Sequence, residues 1–166
     1  MRTIFITLFI FLIFTGCTKS PYKPGPEPVD IWHIVYITEI LSSNRTIFAD
    51  EFGDYDDYME IYNPQDTAVD IAGFGLSDLL GAIKYYFPSP TLIQPDTVIL
   101  VWCDAEPEEG LFHANFRISS TGEWLAVIAP DSSFADSITA PELPADSAFT
   151  RDGGTWHIGA PSPWRH

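Results

Sequence analysis

The chain predicts an all-β, antiparallel fold, a sandwich or a barrel, and three observations predict it. Short runs of β-branched and aromatic residues recur at close spacing, separated by Pro, Gly, Asn and Asp turn signals. No stretch keeps a 3.6-residue apolar period over two turns with caps at both ends. The 14 prolines fall mostly between the runs, as a sheet requires of a residue with no amide donor.

Residues 1–16 stand apart from that fold. Arg2 supplies a positive start, and Ile4 to Phe14 is apolar except for Thr7. Such a run is shorter than the roughly 20 residues a spanning helix needs, and it reads as the apolar core of an export signal. Phe14-Thr15-Gly16-Cys17 follows and resembles the bacterial lipobox, in which small residues precede a cysteine that is lipidated before cleavage. The competing reading is an ordinary secretory leader with a chance cysteine. The lipobox resemblance implies a diacylglyceryl thioether and an N-acyl chain, such as palmitate, on Cys17. Two or more acyl chains hold a protein stably at a bilayer. Residues 17–30 then form a lipidated linker in which Pro21, Pro24, Pro26 and Pro28 favour extended backbone at about 3.1 Å per residue. Residues 31–166 remain for a single domain.

Within that domain the runs are read in order. Ile34 to Leu41 is the first strand. Tyr58 to Tyr62 alternates, with Met59 and Ile61 on one face. Phe74 and Leu76 share a face, and Lys84 to Phe87 is a short strand ended by Pro88. Thr97 to Trp102 is continuously apolar, the pattern of a strand covered on both sides. Glu123 to Ala129 places Trp124, Ala126 and Ile128 together, and Phe134 to Thr139 follows. Asn63-Pro64, Gln94-Pro95-Asp96, Thr121-Gly122 and Pro130-Asp131 mark turns.

Charge excludes one class of partner. Acidic residues number 23 against 8 basic, a formal net charge of −15. Such a surface repels nucleic acid and anionic headgroups and favours cations or cationic partners. Of the two cysteines, Cys103 ends the apolar run at 98–102 and reads as a small buried hydrophobe.

The segments from Ile34 onward resemble the lamin-tail domain of secreted bacterial proteins. Ile37-Thr38-Glu39-Ile40-Leu41-Ser42-Ser43-Asn44 is similar to its opening strand. Asp50 to Pro64 looks like its acidic loop and the strand ending Glu-x-Tyr-Asn, with Tyr58 where the family usually has Trp. Val69 to Asp78, Tyr86-Phe87-Pro88, Ile93 to Trp102, Phe112 to Ile118, Gly122 to Leu125, and Arg151 to Trp156 with Gly159 to Pro163 match the remaining pieces in order. The resemblance spans about residues 34–163. It implies an immunoglobulin-like antiparallel β-sandwich, and a non-catalytic binding or scaffolding role at the bacterial cell envelope. The membrane contact would be the lipid on Cys17, at the outer membrane or cell surface rather than the inner membrane, and the partner a protein or a cell-surface polymer.

The densest chemistry lies at 50–60, where Asp50, Glu51, Asp54, Asp56, Asp57 and Glu60 are carboxylates. Calcium takes six to eight oxygen ligands from flexible loops, so Asp50, Asp54, Asp56, Asp57 and Glu60 are candidate calcium ligands in a calcium-dependent adhesion module. Glu39 and Asn44 are further groups within reach of that end. The plain alternative is a solvated acidic loop. Glu39 and Glu60 lie in otherwise apolar strands and are expected to face outward or to cap a loop amide. His113 is expected to pack or hydrogen-bond within the 111–116 turn. Trp164 is the tryptophan best placed for contact with a partner, with packing at the sandwich end as its other reading. A hydrolase is the remote alternative: the chain has no Gly-x-Ser-x-Gly, no His-Glu-x-x-His and no phosphate-cradling Gly loop. An enzyme is therefore not expected, and calcium is the one cofactor considered.

Overall fold

The computed structural model describes residues 34–164. The leader, Cys17 and the Pro-rich linker lie outside the described residues, as do Trp32, His33 and His166. The strands are β1 (Tyr36–Leu41), β2 (Tyr58–Asn63), β3 (Val69–Asp70), β4 (Gly75–Ser77), β5 (Tyr85–Tyr86), β6 (Leu92–Ile93), β7 (Thr97–Cys103), β8 (His113–Ala114), β9 (Glu123–Ile128), β10 (Phe134–Ala140), β11 (Ala148–Asp152) and β12 (Thr155–Gly159). One 3-10 turn, Pro107–Glu109, separates β7 from β8. No helix is long and apolar enough to cross a membrane among the described residues.

The larger sheet has six strands in the order β12-β11-β1-β2-β7-β8, and the smaller has four in the order β10-β9-β4-β5. Neighbours are antiparallel except β7 and β8, which run parallel. A third pairing, β3 with β6, stands beside them. The two main sheets share one core, with Ile37, Ile40, Met59, Ile61 and Val101 from the larger and Leu76, Leu125 and Val127 from the smaller. This all-β arrangement is consistent with a sandwich. Two-residue alternation produces it: Met59 and Ile61 enter the core while Tyr58 and Glu60 turn away. Each large side chain removed from water there contributes about 1.5–3 kcal/mol.

The outer face of the larger sheet is covered too. Leu41, Tyr58, Leu100, Trp102 and Ala148 form a second apolar cluster under Phe48. This explains the unbroken apolar run of β7: Val101 and Cys103 face the shared core, and Leu100 and Trp102 face the second cluster. Cys103 is fully buried, and burial pushes its thiol up, out of reactive range.

Two glycines carry close approaches. A Cβ on Gly75 would lie 2.3 Å from Ile83 Cγ2. Gly122 sits at φ 91°, where a Cβ would meet the Ala140 carbonyl at 2.6 Å.

Candidate functional site

Two regions concentrate buried or partly buried ionisable groups, one at the β8 edge of the larger sheet and one over β1 and β2. The first begins where β7 ends. Asp104 follows Cys103, Ala105 turns the chain at φ 66°, and the 3-10 turn brings it back as β8. The parallel register sets Trp102 opposite His113 and Cys103 opposite Ala114. His113 is thereby laid against Asp104, and its Nδ1 forms a short hydrogen bond with Asp104 Oδ2. Asp104 Oδ1 accepts the Glu106 amide at 2.8 Å, which fixes the carboxylate. Both side chains are buried, Asp104 at 0% exposure and His113 at 1%. Phe52 stands edge-on to the imidazole at 5.9 Å.

Onto this pair the loop at 50–57 is folded. Asn44 anchors it, its Nδ2 donating to the Phe48 carbonyl at 2.6 Å and to that of Asp56 at 3.0 Å. The Cys103 amide donates to the Asp57 carbonyl at 2.7 Å, tying the loop to the end of β7. Asp50 turns the loop: its Oδ1 accepts the amides of Phe52, Gly53 and Asp54 at 2.8, 2.8 and 2.9 Å. Its other oxygen, Oδ2, is buried without a hydrogen-bond partner among the described residues. The same holds for Glu109 Oε2, Asp56 Oδ2 and His113 Nε2. One ligand atom from each of Asp50, Glu109 and His113 lies within 4.8 Å of the other two. Glu51 Oε1 is 3.4 Å from His113 Nε2, and Glu109 Oε2 is 3.5 Å from Nδ1, so carboxylates flank both edges of the ring.

The electrostatics follow from crowding. Burial raises the Asp56 carboxyl, and its neighbours Asp104 and Asp50 raise it further. Asp57 is pushed up to about 6, chiefly by burial against the opposing amide bond from Asn44. Burial alone would lower His113; the hydrogen bond to Asp104 and the Glu51 carboxylate 3.4 Å from its other nitrogen prevail and hold it above the ordinary histidine value.

The second region is a pair of buried glutamates on the outer face of the larger sheet. Glu39 and Glu60 are register partners on β1 and β2, at 1% and 0% exposure. Glu39 accepts from Tyr58 Oη at 2.6 Å, Thr150 Oγ1 at 2.9 Å, the Ser162 amide at 2.9 and 3.1 Å, and Ser162 Oγ at 2.7 Å. Glu60 accepts from the Trp164 amide at 2.5 Å and Thr38 Oγ1 at 3.3 Å. Burial, with Glu39 beside it, pushes Glu60 up to about 7 against the lowering bond from Trp164.

Of the residues expected at a metal site, Asp50 lies at the centre of the acidic end, and Asp56 and Asp57 stand beside it, partly buried. Asp54 is exposed. Glu60 stands apart from the loop: strand alternation places it on the face away from the core, where it accepts from the Trp164 amide and the Thr38 hydroxyl. Glu39 is likewise spent on residue 162, so both glutamates cap loop amides as expected, but from buried positions. Asn44 does reach the acidic end, as a loop anchor. Trp164 is 53% exposed and packs edge-on against Phe48 at 6.3 Å. Sequence reading missed Asp104, Glu109 and the ligand geometry of His113. Their only signal was the acidic run around the 3-10 turn with a histidine just after it, and nothing in the spacing ties that run to Asp50.

Comparison with protein-family models, with curated proteins and with solved structures finds no match.

Proposed function

We propose that this chain is a lipid-anchored protein of the bacterial cell envelope whose domain, of lamin-tail type and immunoglobulin-like topology, binds or scaffolds without catalysis. The convergence of partly buried Asp50 and Glu109 and of exposed Glu51 on the buried His113–Asp104 pair carries the reading, because carboxylates that crowd one another around a buried pair favour a cation between them. The acidic end is thus the domain's cation-binding end. Beside it lies a hollow of about 280 Å³ where Phe48, Trp102, Phe112 and Trp164 meet Asp50 and Glu51. Aromatic faces rimmed by carboxylates fit a polymer or peptide with apolar faces and hydroxyl or cationic groups. Support for the anchor rests on Arg2, the short apolar run and Gly16-Cys17. Calcium-dependent adhesion through the loop at 50–57 is the second reading, favoured by the number of carboxylates there.

Two experiments test this. Metabolic labelling with a fatty acid should mark the full-length protein and leave Cys17→Ala unlabelled; equal labelling of both would exclude the anchor. A thermal melt of the full-length protein with calcium, magnesium, zinc or chelator should show a cation-specific rise, and the absence of any shift would remove the cation-binding end from the proposal.

A further inference from the structure

Histidine in the donor set separates this site from an all-oxygen calcium loop. Calcium and magnesium are hard cations held by oxygen. Imidazole instead suits zinc and its first-row neighbours. The ring is also prepared for coordination. Nδ1 is occupied by a fully buried carboxylate, which leaves Nε2 as the ligating atom. That nitrogen is buried, lacks a hydrogen-bond partner, and has the Glu51 carboxylate 3.4 Å away. Orphaned polar atoms in a buried position call for an explanation, and an ion is one. Here the orphans include Asp50 Oδ2 and Glu109 Oε2, which belong to the two carboxylates grouped with His113.

We propose that His113, Asp50 and Glu109 bind one divalent cation of the zinc class, with Glu51 or water in the fourth position and Asp104 as the positioning residue behind the imidazole. The inference rests on the cation-binding reading of the acidic end and narrows it to a metal class and a ligand set. Bond lengths near 2.0–2.2 Å place tetrahedral ligands roughly 3.4 Å apart. The grouped atoms lie within 4.8 Å, and Glu109 Oε2 stands nearest Nδ1 at 3.5 Å, so binding at Nε2 requires the loop carrying Asp50 to draw in and the Glu109 carboxylate to swing round the ring edge. Asp50 turns the loop through Oδ1 and offers the metal Oδ2, so the two tasks do not compete. Because the three ligands come from two distant segments, the ion would fasten the 50–57 loop to the 104–113 turn.

The test uses the full-length protein purified in detergent and stripped with chelator. Equilibrium dialysis should give one zinc per chain, held against excess calcium. Cobalt at saturation should give the visible absorption of a nitrogen-and-oxygen tetrahedral site. Glu109→Gln and Asp50→Asn should each weaken zinc by at least about tenfold with an unchanged circular dichroism spectrum. Asp104→Asn should weaken it about 10–100-fold and move the cobalt bands, which a merely structural role would not do. Zinc binding that survives both ligand variants would overturn the assignment. Calcium binding without zinc binding would overturn this inference and leave the cation-binding reading standing. Failure to bind any divalent cation would overturn both.

Discussion

Buried carboxylates are handled in opposite ways at the two ends of the larger sheet's surroundings. On its outer face, Glu39 and Glu60 are satisfied by neutral donors of the chain itself: two amides and four hydroxyls, from Thr38, Tyr58, Thr150, Ser162 and Trp164. At the acidic end, Asp50, Asp56, Glu109 and His113 each keep a buried polar atom without a hydrogen bond. The first arrangement is complete and holds the segment at 162–164 in place. The second leaves several buried oxygen and nitrogen atoms without a hydrogen bond among the described residues. Burial alone therefore does not distinguish the two regions; the supply of hydrogen-bond donors does.

That contrast can be broken or sharpened by experiment. The largest effect is expected from Glu39→Ala, which strands the Tyr58 and Thr150 hydroxyls and releases Ser162. Urea denaturation should show a loss of about 3–5 kcal/mol. A loss below about 1 kcal/mol would mean the glutamate pair is not the completed structural element described above. Zinc comes next. At a free concentration of a hundred times its dissociation constant, it should stabilise the protein by about 2.7 kcal/mol. The rise in melting temperature should persist in Glu60→Gln and vanish in Glu109→Gln; a rise lost in both would join the two regions into one.

A smaller effect is expected from pH. Glu60 titrates near 7 in the folded protein, above its ordinary 4.5, so the folded state keeps a proton that the unfolded chain has lost between those values. Stability contributed by that proton is complete below about 4.5 and is lost as pH rises through 7. Asp57, raised to about 6, and His113, held above its ordinary value, act with the same sign. Metal-free protein should be more stable at pH 5 than at pH 8. Glu60→Gln should flatten the profile by about 1–3 kcal/mol across that window, as measured by chemical denaturation at each pH. An unchanged slope would show that Glu60 keeps an ordinary affinity for its proton. The smallest effect belongs to Asp54→Asn, since that side chain is exposed: stability should stay within about 0.5 kcal/mol of the parent. A larger loss of stability, or of zinc affinity, would draw Asp54 into the site.

Much of the fold was legible in residue order. The strands around Met59, Leu76, Val101, Leu125 and Ala135 follow from β-branched and aromatic runs bounded by turn residues. The short strands β3, β6 and β8 were not legible, because two-residue pairings carry no periodicity of their own. The acidic loop was visible as composition. Its histidine partner was not, because the parallel β7–β8 register and the loop's fold over it bring Asp50, Glu109 and His113 together across a wide sequence gap.

Sequence by itself determined the all-β class, the centres of the main strands, which residues of β2 enter the core, and a net acidic charge. Those properties depend on neighbours along the chain, through the two-residue alternation of a strand and the sum of charges. Tertiary structure decided where each carboxylate is spent. Strict alternation along β1 would set Glu39 on the same face as Ile37. A bulge between Ile37 and Glu39 instead leaves Ile37 and Ile40 in the core and turns Glu39 outward beside Glu60. Register and bulges are fixed by pairing between distant strands, so only the folded chain separates a glutamate that clasps residue 162 from an aspartate whose side chain turns its own loop.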